Sequence, residues 1–171
     1  AAAKRVEIST ACDLYRRALA LDPTCGAALE GLSDLLLKDI CSAGVTAAAK
    51  TELAQLLCRQ RSVDVLSEYF HVLSGSLNLQ SLTTDFALLL AESLAKRKFL
   101  ADAACLAVAA AAKLEDAAEH EEAMSAFLQA FHWNPENLAA EEGLTRLSVV
   151  VGAEQQAAAQ LLMTISQNAV A

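Results

Sequence analysis

The side chains best able to carry chemistry are His71, His120 and His132, the cysteines Cys12, Cys25, Cys41, Cys58 and Cys105, and the adjacent carboxylates Glu115/Asp116, Glu121/Glu122 and Glu141/Glu142. A zinc site needs ligands at short fixed spacings such as Cys-x-x-Cys or His-Glu-x-x-His. His120-Glu121-Glu122 opens like the second motif, but Met124 stands where its second histidine belongs. His120 therefore reads as a helix start, where Glu121 and Glu122 suit the positive end of the helix dipole. The cysteines are odd in number and widely spaced, as expected for small core residues in a reducing compartment. Cys58 beside Arg59 is the best thiol for activation, yet no base or oxyanion site lies nearby, so an inert thiol is expected. There is no Gly-x-Ser-x-Gly elbow, and the six glycines are isolated rather than gathered in a phosphate-binding loop. Adjacent carboxylates on a helix point in different directions, which makes the three pairs surface charge. The expectation is a chain that is not an enzyme and takes no metal or cofactor.

The elements that position these residues are helices. In 171 residues there are 37 Ala, 6 Gly and only 2 Pro, so the best helix former abounds and the punctuation of a many-stranded sheet is scarce. A hydrophobic fraction of 55% supplies a continuous core and excludes a charge-dominated disordered chain. The balance of 13 basic against 21 acidic residues gives a net charge of -8, which repels a phosphate backbone. The one basic run, Lys96-Arg97-Lys98, has no interleaved aromatics and reads as a helix end, so direct nucleic-acid binding is not expected. No basic-then-apolar leader and no membrane-length apolar run is evident, which points to a cytoplasmic protein, with the nucleus as the alternative. The first residue is not Met, and the chain reads as a fragment of something longer.

Self-comparison finds an ungapped internal repeat at an offset of 112 residues. Ala11, Tyr15, Ala18, Leu21 and Pro23 match Ala123, Phe127, Ala130, Trp133 and Pro135; Ala27, Ala28, Glu30, Gly31, Leu32 and Leu35 match Ala139, Ala140, Glu142, Gly143, Leu144 and Leu147. Each copy reads as a helix, a turn closed by Asp22-Pro23 or Asn134-Pro135, and a second helix. Gly31 and Gly143 fall early in the second helix, where they allow close helix packing. Helices are predicted near 5–20, 26–39, 45–60, 62–74, 81–97, 99–113, 117–132, 136–150 and 153–167, with Thr83 or Thr84 capping the fifth. Three periods in 112 residues give about 37 per repeat.

The small-aromatic-small-Pro pattern, with gaps of four, three and five, resembles the second helix of the tetratricopeptide repeat (TPR). The match is degenerate: no Pro lies between Pro23 and Pro135, and the family's first-helix positions are only partly kept, as Ala107, Ala110 and Ala111 in one unit and Leu29, Leu32 and Ser33 in another. Helix pairing from about 40 to 98 stays open. The resemblance implies an all-α, right-handed α-solenoid of about nine antiparallel helices, residues 1–171 forming a single repeat domain of a longer solenoid. Such a cut solenoid exposes apolar ends, in keeping with the mean hydropathy of +0.34.

The resemblance also implies a groove for a protein partner. The family's groove-facing positions fall on Ala27, Glu30 and Asp34, on Cys105, Val108 and Ala112, and on Ala139, Glu142 and Arg146. The Lys and Asn with which some TPR domains hold a chaperone's C-terminal carboxylate are absent here, so that ligand is not expected. A small, apolar, mildly acidic lining instead suits a basic or amphipathic segment or a neighbouring helical repeat. Tyr69, Phe70 and Trp133 are the aromatic candidates for anchors. The function expected is a non-catalytic scaffold within a hetero-oligomeric complex. The alternatives are a helical-repeat subunit of an RNA-processing or RNA-degradation assembly, and a regulatory domain fused to an enzyme.

Overall fold

The computed structural model describes the backbone of residues 2–40 and 46–169, with side-chain surroundings for 7–40 and 46–153. Among the described residues every regular element is helical: α1 (Ala2–Leu21), α2 (Gly26–Ile40), α3 (Ala47–Arg59), α4 (Val63–Glu68), α5 (Phe70–Leu73), α6 (Thr84–Lys96), α7 (Leu100–Asp116), α8 (His120–Trp133) and α9 (Leu138–Ala169), with 3-10 turns at Ser74–Ser76 and Leu79–Ser81. Their contacts divide the chain into two compact units, Ala1–Asn78 and Leu79–Ala171.

The two proline-marked hairpins share their turn chemistry. Asp22 Oδ1 accepts from the Thr24 amide (2.9 Å) and hydroxyl (2.7 Å), and Asn134 Oδ1 accepts from the Glu136 amide (3.2 Å), closing an Asx turn over each proline. The Asp22 amide bonds the Ala18 carbonyl and the Asn134 amide the Ala130 carbonyl, while Cys25 and Asn137 donate back to Asp22 and Asn134. The helices of each pair then meet through an aromatic ring laid on a glycine. A Cβ at Gly143 would fall 2.6–2.7 Å from three Phe127 ring atoms, and one at Gly31 would come within 3.0 Å of three Tyr15 atoms. Any side chain at these positions would push the helices apart.

The turns without proline use a different device. After α3, α6 and α7 the chain passes through left-handed backbone at Arg61 (φ 53), Lys98 (φ 71) and Ala118 (φ 61). Each is followed by an amide that reaches five residues back: Ser62 to Leu57 (3.0 Å), Phe99 to Leu94 (3.0 Å) and Glu119 to Leu114 (2.9 Å). With the three-back bonds of Arg61, Lys98 and Ala118, these are Schellman closures made without glycine. Pro23, Arg61, Lys98 and Pro135 are spaced 38, 37 and 37 residues, so the period of about 37 is kept where its proline is lost.

In the first unit α2 packs on α1 and α3, with Ala28, Leu32, Leu36 and Ile40 of α2 and Leu53, Leu56 and Leu57 of α3 all buried. A bidentate pair from Arg16 to Glu52 (2.8 and 2.7 Å) ties α1 to α3, and Arg59 donates to the Pro23 carbonyl. In the second unit each helix packs on the next and α7 also reaches α9. The core there is mostly alanine, Ala104, Ala107, Ala111, Ala123, Ala126, Ala130 and Ala140 around Phe127 and Leu147, which permits close interaxial approach. Lys113 Nζ donates to the Gln80 (2.7 Å) and Leu82 (2.6 Å) carbonyls and pins the segment before α6.

Three expectations need correction. The helix predicted over 62–74 is broken at Tyr69 (φ -99, ψ 14) into α4 and α5; two residues earlier the buried Ser67 hydroxyl bonds the Asp64 carbonyl and competes with the backbone ladder. The break predicted at Val151-Gly152 does not occur, and α9 runs through it, since a lone helical glycine costs only about 1 kcal/mol and no proline follows. Thr83 stands at the N-cap of α6 in extended backbone, but its side chain makes no capping bond; Thr46, ahead of α3, does accept from the Ala49 amide (3.2 Å). The break predicted at Ser42-Ala43-Gly44, like Cys41, lies outside the described residues.

Two substitutions check these assignments. Ala118→Gly removes left-handed strain of about 1–2 kcal/mol at a cost of about 0.4–1 kcal/mol in unfolded-state entropy, and should raise stability by about 0.5–1 kcal/mol in urea unfolding. Gly152→Ala, where an added Cβ meets nothing within 4 Å, should also stabilise, by up to about 1 kcal/mol.

Candidate functional site

The nine residues selected from the sequence lie on three helices. Ala27, Glu30 and Asp34 are all exposed on α2, opposite its buried Ala28, Leu32 and Leu36. In the second unit Cys105 and Ala112 are exposed on α7, Val108 is half-buried against the alanine core, and Ala139, Glu142 and Arg146 are exposed on α9. The spacing i, i+3, i+7 places each trio on one face, and that face is the one left to solvent in all three helices. Only α7 and α9 belong to the same unit and touch each other.

Arg146 is not a free groove cation. It grips Glu115 in a bidentate pair, Nε to Oε1 at 2.6 Å and Nη2 to Oε2 at 2.7 Å. Glu115, which reads from sequence as mere surface charge, continues the α7 stripe three residues beyond Ala112 and bridges it to α9. Its signal was the pairing of opposite charges nearly one repeat apart, 31 residues here and 36 for Arg16 and Glu52. The Arg146 hydrogen bond holds the Glu115 carboxyl below its ordinary range, and the same bond pushes the Arg146 guanidinium further up. With Arg146 neutralised, the charge left on the α9 stripe is Glu142, beside Glu141. These two, Leu138, Thr145 and Arg146 line an open depression of about 460 Å³, with Leu138 exposed at its end.

The aromatic candidates separate. Phe70 is core, and Tyr69 is half-buried at the α4–α5 break. Trp133 is half-buried and, with Glu92, Ala95, Lys96, Leu100 and Gln129, lines a second open depression of about 370 Å³ away from the selected stripes. As for the chemical candidates, burial pushes the Cys58 thiol up, and Arg59 turns to the Pro23 carbonyl rather than to that sulfur. Burial likewise pushes Cys12 up, whereas Cys105 is exposed. Among the described residues no three His, Cys, Asp or Glu side chains gather into a metal-holding group, and no helix is long and apolar enough to cross a membrane.

Comparison with protein-family models, with curated proteins and with solved structures finds no match to this chain.

The Glu115–Arg146 clamp has a pH signature. A carboxyl whose folded pKa is depressed contributes stability above its unfolded pKa and loses it as the pH falls through the folded value. Glu115→Gln should lower stability slightly at neutral pH and low salt. The gap to wild type should close as the pH drops from about 5 through and below the ordinary carboxylate range, in urea titrations read by helical circular dichroism.

Proposed function

We propose that the chain is a non-catalytic protein-interaction scaffold of TPR-like hairpins stacked as a right-handed solenoid, whose α2, α7 and α9 stripes face a protein partner in a larger assembly. The observation that carries this reading is the double recurrence at an offset of 112 residues. The ring-on-glycine hairpin recurs with its turn bonds, and so does the exposed Ala-x-x-Glu stripe on its second helix. A packing motif accounts for the first recurrence, but packing places no demand on a solvent-facing glutamate.

The chemistry of the stripe favours a basic or amphipathic segment. Residues 79–171 carry 12 acidic and 5 basic residues, and the basic Lys113 and Arg146 are engaged within the unit. Charge of one sign beside exposed alanine and leucine steers a cationic partner and discriminates against an anionic one.

A photo-crosslinking residue placed at Ala27 or Ala139 in the full-length protein in cells should capture the same protein partner from both positions. The same probe at the exposed Glu68 or Glu121, off the stripes, should not. Glu30→Lys with Glu142→Lys should reduce capture severalfold without changing the melting temperature. Capture from the control positions alone, or capture of RNA with steep salt dependence, would overturn the reading.

A further inference from the structure

The last residues of α1, α3, α6 and α8 are Leu21, Arg59, Lys96 and Trp133, spaced 38, 37 and 37 residues, so they hold one position of the repeat. In the second unit α7 packs on both α6 and α8, and Lys96 and Trp133 line one open depression of about 370 Å³ at the ends of those two helices. Glu92 and Gln129, also 37 apart and one turn earlier, line it with them, and Ala95 and Leu100 complete it. In the first unit the corresponding place is bridged. Arg59 crosses to the Pro23 carbonyl, and Arg16 grips Glu52. In the second unit an indole takes the place of the Arg59 guanidinium: Trp133 is half-buried, beside Leu100 at 40% exposed. The place that an arginine closes in one unit is left open in the other.

Charge at this place runs against the rest of the unit. Residues 79–171 carry 12 acidic and 5 basic residues, and three of the five form the run Lys96-Arg97-Lys98. Lys96 and Lys98 are exposed; the first lines the depression, and the second stands in the chain between Lys96 and Leu100, which also lines it. Cations suit the last turn of α6, but the helix dipole asks for neither an aromatic ring nor an open volume beside them. From the cations, the indole and the depression together we infer a docking site for a short acidic segment of a protein partner. An apolar residue of that segment lies on Trp133 and Leu100, and its carboxylates meet Lys96 and Lys98. Glu92 fixes the direction. It stands one turn before Lys96 on the same helix face and repels a carboxylate placed there, so the acidic residues lie at the α7 end of the depression. A long polyanion is disfavoured, because the unit as a whole carries more than twice as many acidic as basic residues. The inference is independent of the α2, α7 and α9 stripes, whose charge favours the opposite kind of partner.

Trp133 is the only tryptophan of the chain, so its fluorescence reports on this site directly. The probe is the end-blocked peptide Ser-Asp-Asp-Phe-Asp-Asp-Leu-Ser, titrated onto the intact chain. Saturable binding is expected, with a shift of Trp133 emission to shorter wavelength. Read by anisotropy of a labelled peptide, Lys96→Glu with Lys98→Glu should weaken binding about tenfold or more, and Lys98→Glu alone, at an exposed position beyond the end of α6, severalfold. Trp133→Leu, which sets there the residue that α1 carries at the matched position, should weaken it about fivefold or more. The same peptide with Lys in place of each Asp should bind at least about tenfold more weakly. Absence of saturable binding, binding indifferent to Lys98→Glu or to Trp133→Leu, or equal binding of the Lys peptide would overturn the proposal. So would tighter binding of a single-stranded RNA oligonucleotide with steep salt dependence, which would give the site to nucleic acid.

Discussion

Each proline-marked hairpin is held by the seat of an aromatic ring on a helical glycine. Tyr15 on Gly31 and Phe127 on Gly143 bring two helix backbones closer than any pair of side chains would allow. A glycine inside a helix costs about 1 kcal/mol relative to alanine, so it is retained only where the missing Cβ is worth more than that. Here it lets the ring fill the volume that would otherwise separate the helices. The alanines at Ala28 and Ala140, both fully buried, extend the close approach, and the Asx turns over Pro23 and Pro135 aim the second helix so that it is met.

The face left outside follows from that geometry. Once Ala28, Leu32 and Leu36 turn toward the neighbours of α2, Ala27, Glu30 and Asp34 must face solvent; the same rotation sets Ala139, Glu142 and Arg146 on α9. Salt clamps between alternate helices, Arg16 to Glu52 and Arg146 to Glu115, then fix the stagger without entering the core. Exposed ion pairs add little stability in general, and their use here is geometric: a bidentate fork is satisfied at only one separation and one angle.

Much of this was legible in the sequence because it depends on residue type. Proline marks two turns, and the small-aromatic-small spacing marks the stripe that meets the glycine. The helix-rich composition accounts for the all-helical architecture, and the exposure of eight of the nine selected residues follows from helical periodicity. What was not legible depends on backbone bonds that any residue can make. The breaks at Arg61 and Lys98 were placed from the sequence, and the one at Ala118 to within a few residues, but the left-handed Schellman closures that make them carry no glycine and could not be read from residue type. The continuity of α9 through Gly152 and the break at Tyr69 were misread for a related reason. Glycine was weighed as a stop although no proline followed it, and the bond from Ser67 to the Asp64 carbonyl was invisible without coordinates. Glu115 was passed over because its partner lies on a helix 31 residues away.

The most direct test of the ring-on-glycine seat is a double-mutant cycle between Gly143 and Phe127 in urea unfolding. Gly143→Ala sets a Cβ against a ring that is 2% exposed and has nowhere to go, so it should destabilise by about 1–3 kcal/mol despite the higher helix propensity of alanine. Adding Phe127→Leu should recover part of that loss, giving a coupling of about 1 kcal/mol or more. If Gly143→Ala stabilises the chain, or if the two substitutions simply add, the ring does not hold the hairpin and the account fails at its base.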